Sequence, residues 1–140
     1  MKIHFLGAAR TVTGSQILIE VNGLKILMEC GFFQGKRADT YHFNQNFQFS
    51  PKDIDALLLS HAHIDHSGNI PNLVKQGFKN RIYATSATVS LAEIMLRDSG
   101  HIQESDAQYV NKKRARRGEP PIEPLYTFED AAIEIGRAHV

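Results

Sequence analysis

The chain has 140 residues, enough for one small domain and too few for several. Its hydrophobic content of 42% is ordinary for a soluble globular protein, and a net charge of +1 singles out no class of partner. The single cysteine, Cys30, excludes an internal disulfide framework and fits a reducing, cytoplasmic compartment. Met1 to Gly7 lacks the apolar core of a signal peptide, and no stretch approaches the length of a membrane span.

In chain order, Lys2 to Leu6 predicts a first strand closed by Gly7, and residues 8–14 predict a glycine-bounded loop. Gln16 to Val21 alternates apolar and polar residues, as a strand does. Asn22-Gly23 is a two-residue hairpin signal, and Leu24 to Met28 is the returning strand. Residues 31–52 read as a long connection rich in aromatics (Phe32, Phe33, Tyr41, Phe43, Phe47, Phe49), and connections of that length are usually functional or packed over something. Ile54 to Leu59 predicts a buried strand, with a polar cluster on the loop at its C-terminal end, a common site position in layered α/β folds.

Asn69 to Gln76 predicts a short helix ended by Gly77, and Arg81 to Ala84 a further strand. Ser86 is placed to cap a helix that runs to about Asp98, with Leu91, Ile94 and Met95 on one face and Gly100 as its stop. Glu104 to Arg116 predicts a separate polar helix. Pro120, Pro121 and Pro124 enforce an extended connection, and Thr127 is placed to cap a last helix from about Phe128.

The densest chemistry lies in Leu57-Leu58-Leu59-Ser60-His61-Ala62-His63-Ile64-Asp65-His66-Ser67-Gly68. Three of the seven histidines and an aspartate fall within six residues, directly after an apolar run. In extended backbone, alternate side chains point the same way, so His61 and His63 converge on one point, and Asp65 and His66 reach a neighbouring one. Imidazole and carboxylate suit zinc and related divalent ions. Ser67 and Asn69 read as helix-start residues, and His4 and His42 carry no specific signal.

The H-x-H-x-D-H pattern after a strand resembles the second motif of the metallo-β-lactamase superfamily. Gly7 to Ser15, Cys30-Gly31-Phe32-Phe33-Gln34-Gly35, Asp98 to Glu104 and Asn111 to Pro120 narrow the resemblance to its RNA-processing branch, the β-CASP ribonucleases. It runs from Met1 to about Ala132. It implies an α/β fold, the N-terminal half of an αββα sandwich, which periodicity alone does not reveal.

The resemblance also implies two zinc ions in the intact protein. The positions of His61 and His63 ligate one, and those of Asp65 and His66 the other, each set completed by residues further along. A hydroxide between the ions then attacks phosphorus, with the Asp65 position helping to orient or deprotonate it. Many relatives carry aspartate where Glu29 stands, hydrogen-bonded to a ligand histidine; Glu29 is expected to take that role through a side chain one methylene longer. Cys30 reads as a small buried residue at a strand end rather than a zinc ligand. His101 is either structural or close to the site. Lys112, Lys113, Arg114, Arg116 and Arg117 either contact RNA phosphates or form a solvated helix face. RNA is the expected partner, a membrane is not, and a homodimer of the intact protein is compatible with the resemblance.

The end of the chain departs from the family. Ile135-Gly136-Arg137-Ala138-His139-Val140 spells one reading frame of a widely used sequencing adapter, followed by a stop codon. Residues 1–133 are therefore expected to be part of a metallo-β-lactamase domain, and 134–140 a non-native tail, so His139 is not taken as a missing ligand. With two ligands for each metal, the 140-residue chain is expected to bind zinc weakly, to cleave no RNA and, with one sheet face uncovered, to be poorly soluble. Two other functions compete: a hydrolase of the same fold acting on a thioester, lactone or small phosphodiester, and a catalytically inactive RNA-binding subunit.

Overall fold

The computed structural model describes residues 1–135 and 138–139; residues 136, 137 and 140 of the expected tail lie outside it. The described strands form one sheet in chain order: β1 (Lys2–Gly7), β2 (Gln16–Val21), β3 (Leu24–Met28), β4 (Ala56–Leu58), β5 (Arg81–Tyr83) and β6 (Ala138–His139). The first three pair antiparallel and the rest parallel. The β2–β3 hairpin turns at Asn22 (φ 51°) and Gly23 (φ 81°), the left-handed pair that a two-residue hairpin requires.

The two faces of the sheet differ. Leu18, Leu27, Leu57 and Ile82 stand in one cross-strand row, all buried. They pack with Ile70 and Leu73 of helix α3 (Ile70–Lys75) and with Phe78. The neighbouring row, Phe5, Ile17, Met28, Leu58 and Tyr83, faces the other way. It is half-buried to exposed, with Phe5 at 68%. One sheet with a helix layer on one face is the α/β half-sandwich that the resemblance implies.

The helices differ more from the expectation than the strands do. The aromatic connection contains helix α1 (Arg37–Gln45), and Pro51–Asp53 form a single 3-10 turn. The strand expected over 54–59 is trimmed to Ala56–Leu58. A helical turn, α2 (Ile64–Ser67), follows His63.

The two helices expected either side of Gly100 are one, α4 (Ser86–Ala115), 30 residues long and capped by Thr85, whose side chain accepts from the Thr88 N–H. Gly100 does not stop it. It is buried where the chain before the last helix, α5 (Phe128–Ile135), crosses; a Cβ there would lie 2.7 Å from the Thr127 carbonyl. The buried stripe is Thr88, Ala92, Leu96, Gly100 and Ala107, while Leu91 and Ile94 are exposed. Small residues face inward because α4 and α5 pack closely. Thr127 caps α5 as expected: its hydroxyl accepts from the Asp130 N–H, and its own N–H donates to the Asp130 carboxylate.

Candidate metal centre

Parallel strands β3 and β4 end side by side, and the chains leaving them are laced together. The Glu29 N–H donates to the Leu58 carbonyl, Cys30 to His66, and Phe32 to Ile64, at 2.8–3.0 Å. Ser15 donates to the Asp65 carbonyl at 2.9 Å, and Asn69 to that of Cys30 at 2.9 Å. Gly31 lies between these strands of backbone: a Cβ there would fall on the Asp65 carbonyl and 2.6 Å from the Ser15 nitrogen. The predicted ligand loop is thus fixed by main-chain bonds on both sides.

On this frame the histidines converge. The His61 and His63 ring centroids lie 4.8 Å apart, and those of His61 and His66 4.1 Å apart. His66 Nε2 is 3.5 Å from Asp65 Oδ2. Its other nitrogen, Nδ1, is 3.5 Å from Glu29 Oε2. Glu29 is buried, at a left-handed φ of 62° that bends the chain sharply off β3 and turns its carboxylate under the loop. Oε1 of that carboxylate accepts from the Ser60 N–H at 3.1 Å. A carboxylate facing Nδ1 favours the proton there and leaves Nε2 as the lone-pair donor.

Ser60, unremarked in the sequence, has its hydroxyl 2.8 Å from His61 Nδ1 and orients that ring. Its place directly before the first histidine was the only available signal. Ser67 is fully buried, and its hydroxyl donates to the carbonyls of Ala62 and His63, which pins the loop from inside. Asn69 occupies the cap position of α3 without capping it; its amide donates to the Asn44 carbonyl instead. Burial pushes the Cys30 thiol far above its ordinary range, with the Glu29 charge adding to the effect, so Cys30 is a protonated core residue. The Tyr126 hydroxyl, also raised by burial, to about 12, donates to the Gly68 carbonyl and supports the loop from the helical side.

His101 is exposed on α4. His4 sits on β1, 3.7 Å from the Glu20 carboxylate. The basic run ends α4. Arg114 is engaged, donating to the Pro120 carbonyl and pairing with Glu119 at 3.2 Å, and the Lys113 ammonium stands over the Tyr109 ring. Lys112, Arg116 and Arg117 are exposed.

The donors suit zinc in kind, being imidazole nitrogens and carboxylate oxygens. Two buried polar atoms without hydrogen bonds, His66 Nδ1 and Glu29 Oε2, face each other, as the outer nitrogen of a ligand histidine faces its carboxylate. Among the described residues no group of three or more His, Cys, Asp and Glu side chains is arranged to hold an ion. The residues therefore fit a metal in kind and pairwise, and are short of a complete set.

A family model described as the metallo-beta-lactamase superfamily matches residues 9–137. Ribonuclease TTHA0252 of Thermus thermophilus is 48% identical over 99 residues, which cover 71% of this chain and 22% of that protein. Transcription termination factor FttA of Methanocaldococcus jannaschii is 31% identical over 111 residues, covering 79% and 17%. Cleavage and polyadenylation specificity factor 73 of Drosophila melanogaster is 36% identical over 100 residues, covering 70% and 14%. The chain spans less than a quarter of the length of these relatives, and their names agree with the RNA-processing branch that its motifs resemble.

Proposed function

The chain belongs to the metallo-beta-lactamase superfamily, and we propose that it carries the first ligand cluster of a zinc-dependent β-CASP ribonuclease. The observation that carries this is the convergence of His61, His63, Asp65 and His66 on a loop braced by Glu29. The similarity to a protein named ribonuclease supports the choice of RNA over other substrates. His61 and His63 would hold one zinc, and Asp65 and His66 a second. Zinc in this place supplies positive charge against the anionic transition state of phosphodiester cleavage.

The protein's own residues do the rest. Glu29 holds the His66 ring so that Nε2 points at the site, and Ser60 holds His61. The Asp65 carboxylate, partly exposed beside His66 Nε2, orients the attacking water or takes its proton. Glu29 keeps the negative charge of the aspartate common in the family, on a backbone of left-handed φ.

By itself the 140-residue chain binds zinc weakly and cleaves no RNA, because its four donors supply two for each ion where catalytic zinc sites use three. Zinc titration by calorimetry and incubation with a labelled single-stranded RNA test this; a tight equivalent per site together with cleavage would overturn it. We assign residues 134–140 to a non-native tail. Sequencing the source DNA across codons 125–140 decides that point, since a frame continuing past Ile133 makes the tail an artefact, and a genuine stop refutes it. Among the described residues no helix is long and apolar enough to cross a membrane, and the proposed enzyme acts in the cytoplasm.

One other reading is an RNA-binding subunit without catalysis, which loss of the downstream ligands in the full gene would favour. The longer gene product separates the two: zinc-dependent cleavage that is lost in His63→Ala supports the nuclease, and RNA binding without cleavage supports the subunit.

A further inference from the structure

A cavity of about 590 Å³ opens between the loop after β1 and helix α1, within the size range of small-ligand sites. Its wall includes Phe33, Phe43, Phe47 and His42, with Thr13 and Gln48 among the polar lining residues; the Thr13 hydroxyl is bonded to Gln34 and Gln48 Nε2 to the Leu6 carbonyl. Among the described residues no Lys, Arg, Asp or Glu lines it. An aromatic, uncharged pocket suits neither a phosphate nor a metal ion. It suits a flat heteroaromatic ring, which stacks on one face and hydrogen-bonds along its edge.

The aromatic wall is held in place. Phe33 and Phe43 lie 4.9 Å apart at 57°, and Phe43 is 56% exposed at the opening. Behind them Asn44, buried, clamps the Phe33 backbone: its Oδ1 accepts from the Phe33 N–H and its Nδ2 donates to the Phe33 carbonyl, both at 2.8 Å. The Asn44 carbonyl in turn accepts from Asn69 and Asn72 at 3.0 and 2.7 Å. Asn69 closely follows His66, and Ser15, next to the lining residue Gly14, donates to the Asp65 carbonyl. A preorganised aromatic platform is thereby tied on two sides to the candidate metal loop. Arg10, exposed, lies in sequence between the lining residues Ala9 and Thr11.

We propose that this cavity is a subsite for one unstacked nucleobase of single-stranded RNA, with Phe43 as its stacking face; the inference rests on the RNA-directed function proposed above. It gives a role to Phe33 and Phe43 of the aromatic connection, whereas Phe47 and Phe49 also pack against the hydrophobic core.

The test uses the 140-residue chain and two probes of equal length and charge, a short oligouridylate and its abasic counterpart, followed by fluorescence anisotropy. Phe43→Ala is expected to weaken oligouridylate binding about tenfold and to leave the abasic probe unchanged, while Phe43→Tyr keeps the wild-type preference. A thermal melt confirms that each variant is folded, which the exposure of Phe43 favours. Equal losses on both probes, or no loss on either, overturn the subsite and leave the RNA function standing. A wild-type chain that binds neither probe also overturns the subsite, and the RNA function is then decided on the longer gene product.

Discussion

The ligand loop and the basic run were both legible as candidate sites, and the structure treats them in opposite ways. Around His61 to His66 the chain is tied down: backbone bonds to Cys30 and Phe32 after β3 and to Ser15, the Ser67 hydroxyl inside, and Tyr126 behind. At the end of α4, three of five cations point into solvent, and Arg114 spends its guanidinium on closing the turn to Pro120. Positive side chains there also offset the helix dipole, which needs no ligand. Chemistry that requires fixed geometry is built on buried backbone contacts, whereas charge that only attracts can be left exposed.

The strongest way to break this contrast is Gly31→Ala. A methyl group on the Asp65 carbonyl cannot be accommodated unless the two chains part, so the variant is expected to lose the folded loop and several kcal/mol, about 3 or more. Urea denaturation reads this directly, and a loss under about 1 kcal/mol would show that the lacing is loose. Glu29→Gln sharpens the same side. It keeps the shape and removes the charge facing His66, and is expected to lower zinc affinity about 10-fold to 100-fold with little loss of fold. Unchanged affinity in a calorimetric titration would return Glu29 to a purely structural role.

Tyr126→Phe removes the donor to the Gly68 carbonyl and is expected to cost about 1–2 kcal/mol. The same hydroxyl makes a pH prediction. Its folded pKa is raised from 10.0 to about 12, chiefly by burial, so the folded state holds the proton more tightly. Its contribution is complete below pH 10 and is lost as pH rises toward 12. Denaturation midpoints that fall over this window in the wild type and less in Tyr126→Phe support it. The smallest effect is expected on the other side of the contrast. Replacing Lys112, Arg116 and Arg117 by alanine should leave stability within about 0.5 kcal/mol and flatten the salt dependence of RNA binding. An unchanged salt slope would leave the run as a solvated helix end.

Much of this was readable in advance because it depends on neighbours in sequence. The hairpin needs only Asn22-Gly23, and the α5 cap needs only Thr127 and Asp130. Alternation marked β2, although both faces of the sheet are apolar, and the row from Phe5 to Tyr83 is left partly open to solvent. Gly100 reads as a helix stop in the sequence because glycine as a stop and glycine as a packing notch look alike until Thr127 is seen against it. Helix α1 was hidden because the contacts of Asn44, rather than an apolar stripe, fix it in place.

The sequence by itself determined the types of the candidate donors, their spacing and the strand they follow, which depend on residue identity and local backbone period; the family followed from the resemblance of its motifs. Only the tertiary structure decided that the Glu29 carboxylate lies beside His66, that Ser60 orients His61, and that a clamped aromatic pocket adjoins the loop. Each of these joins segments distant in the chain, and a one-dimensional pattern carries no distance between them.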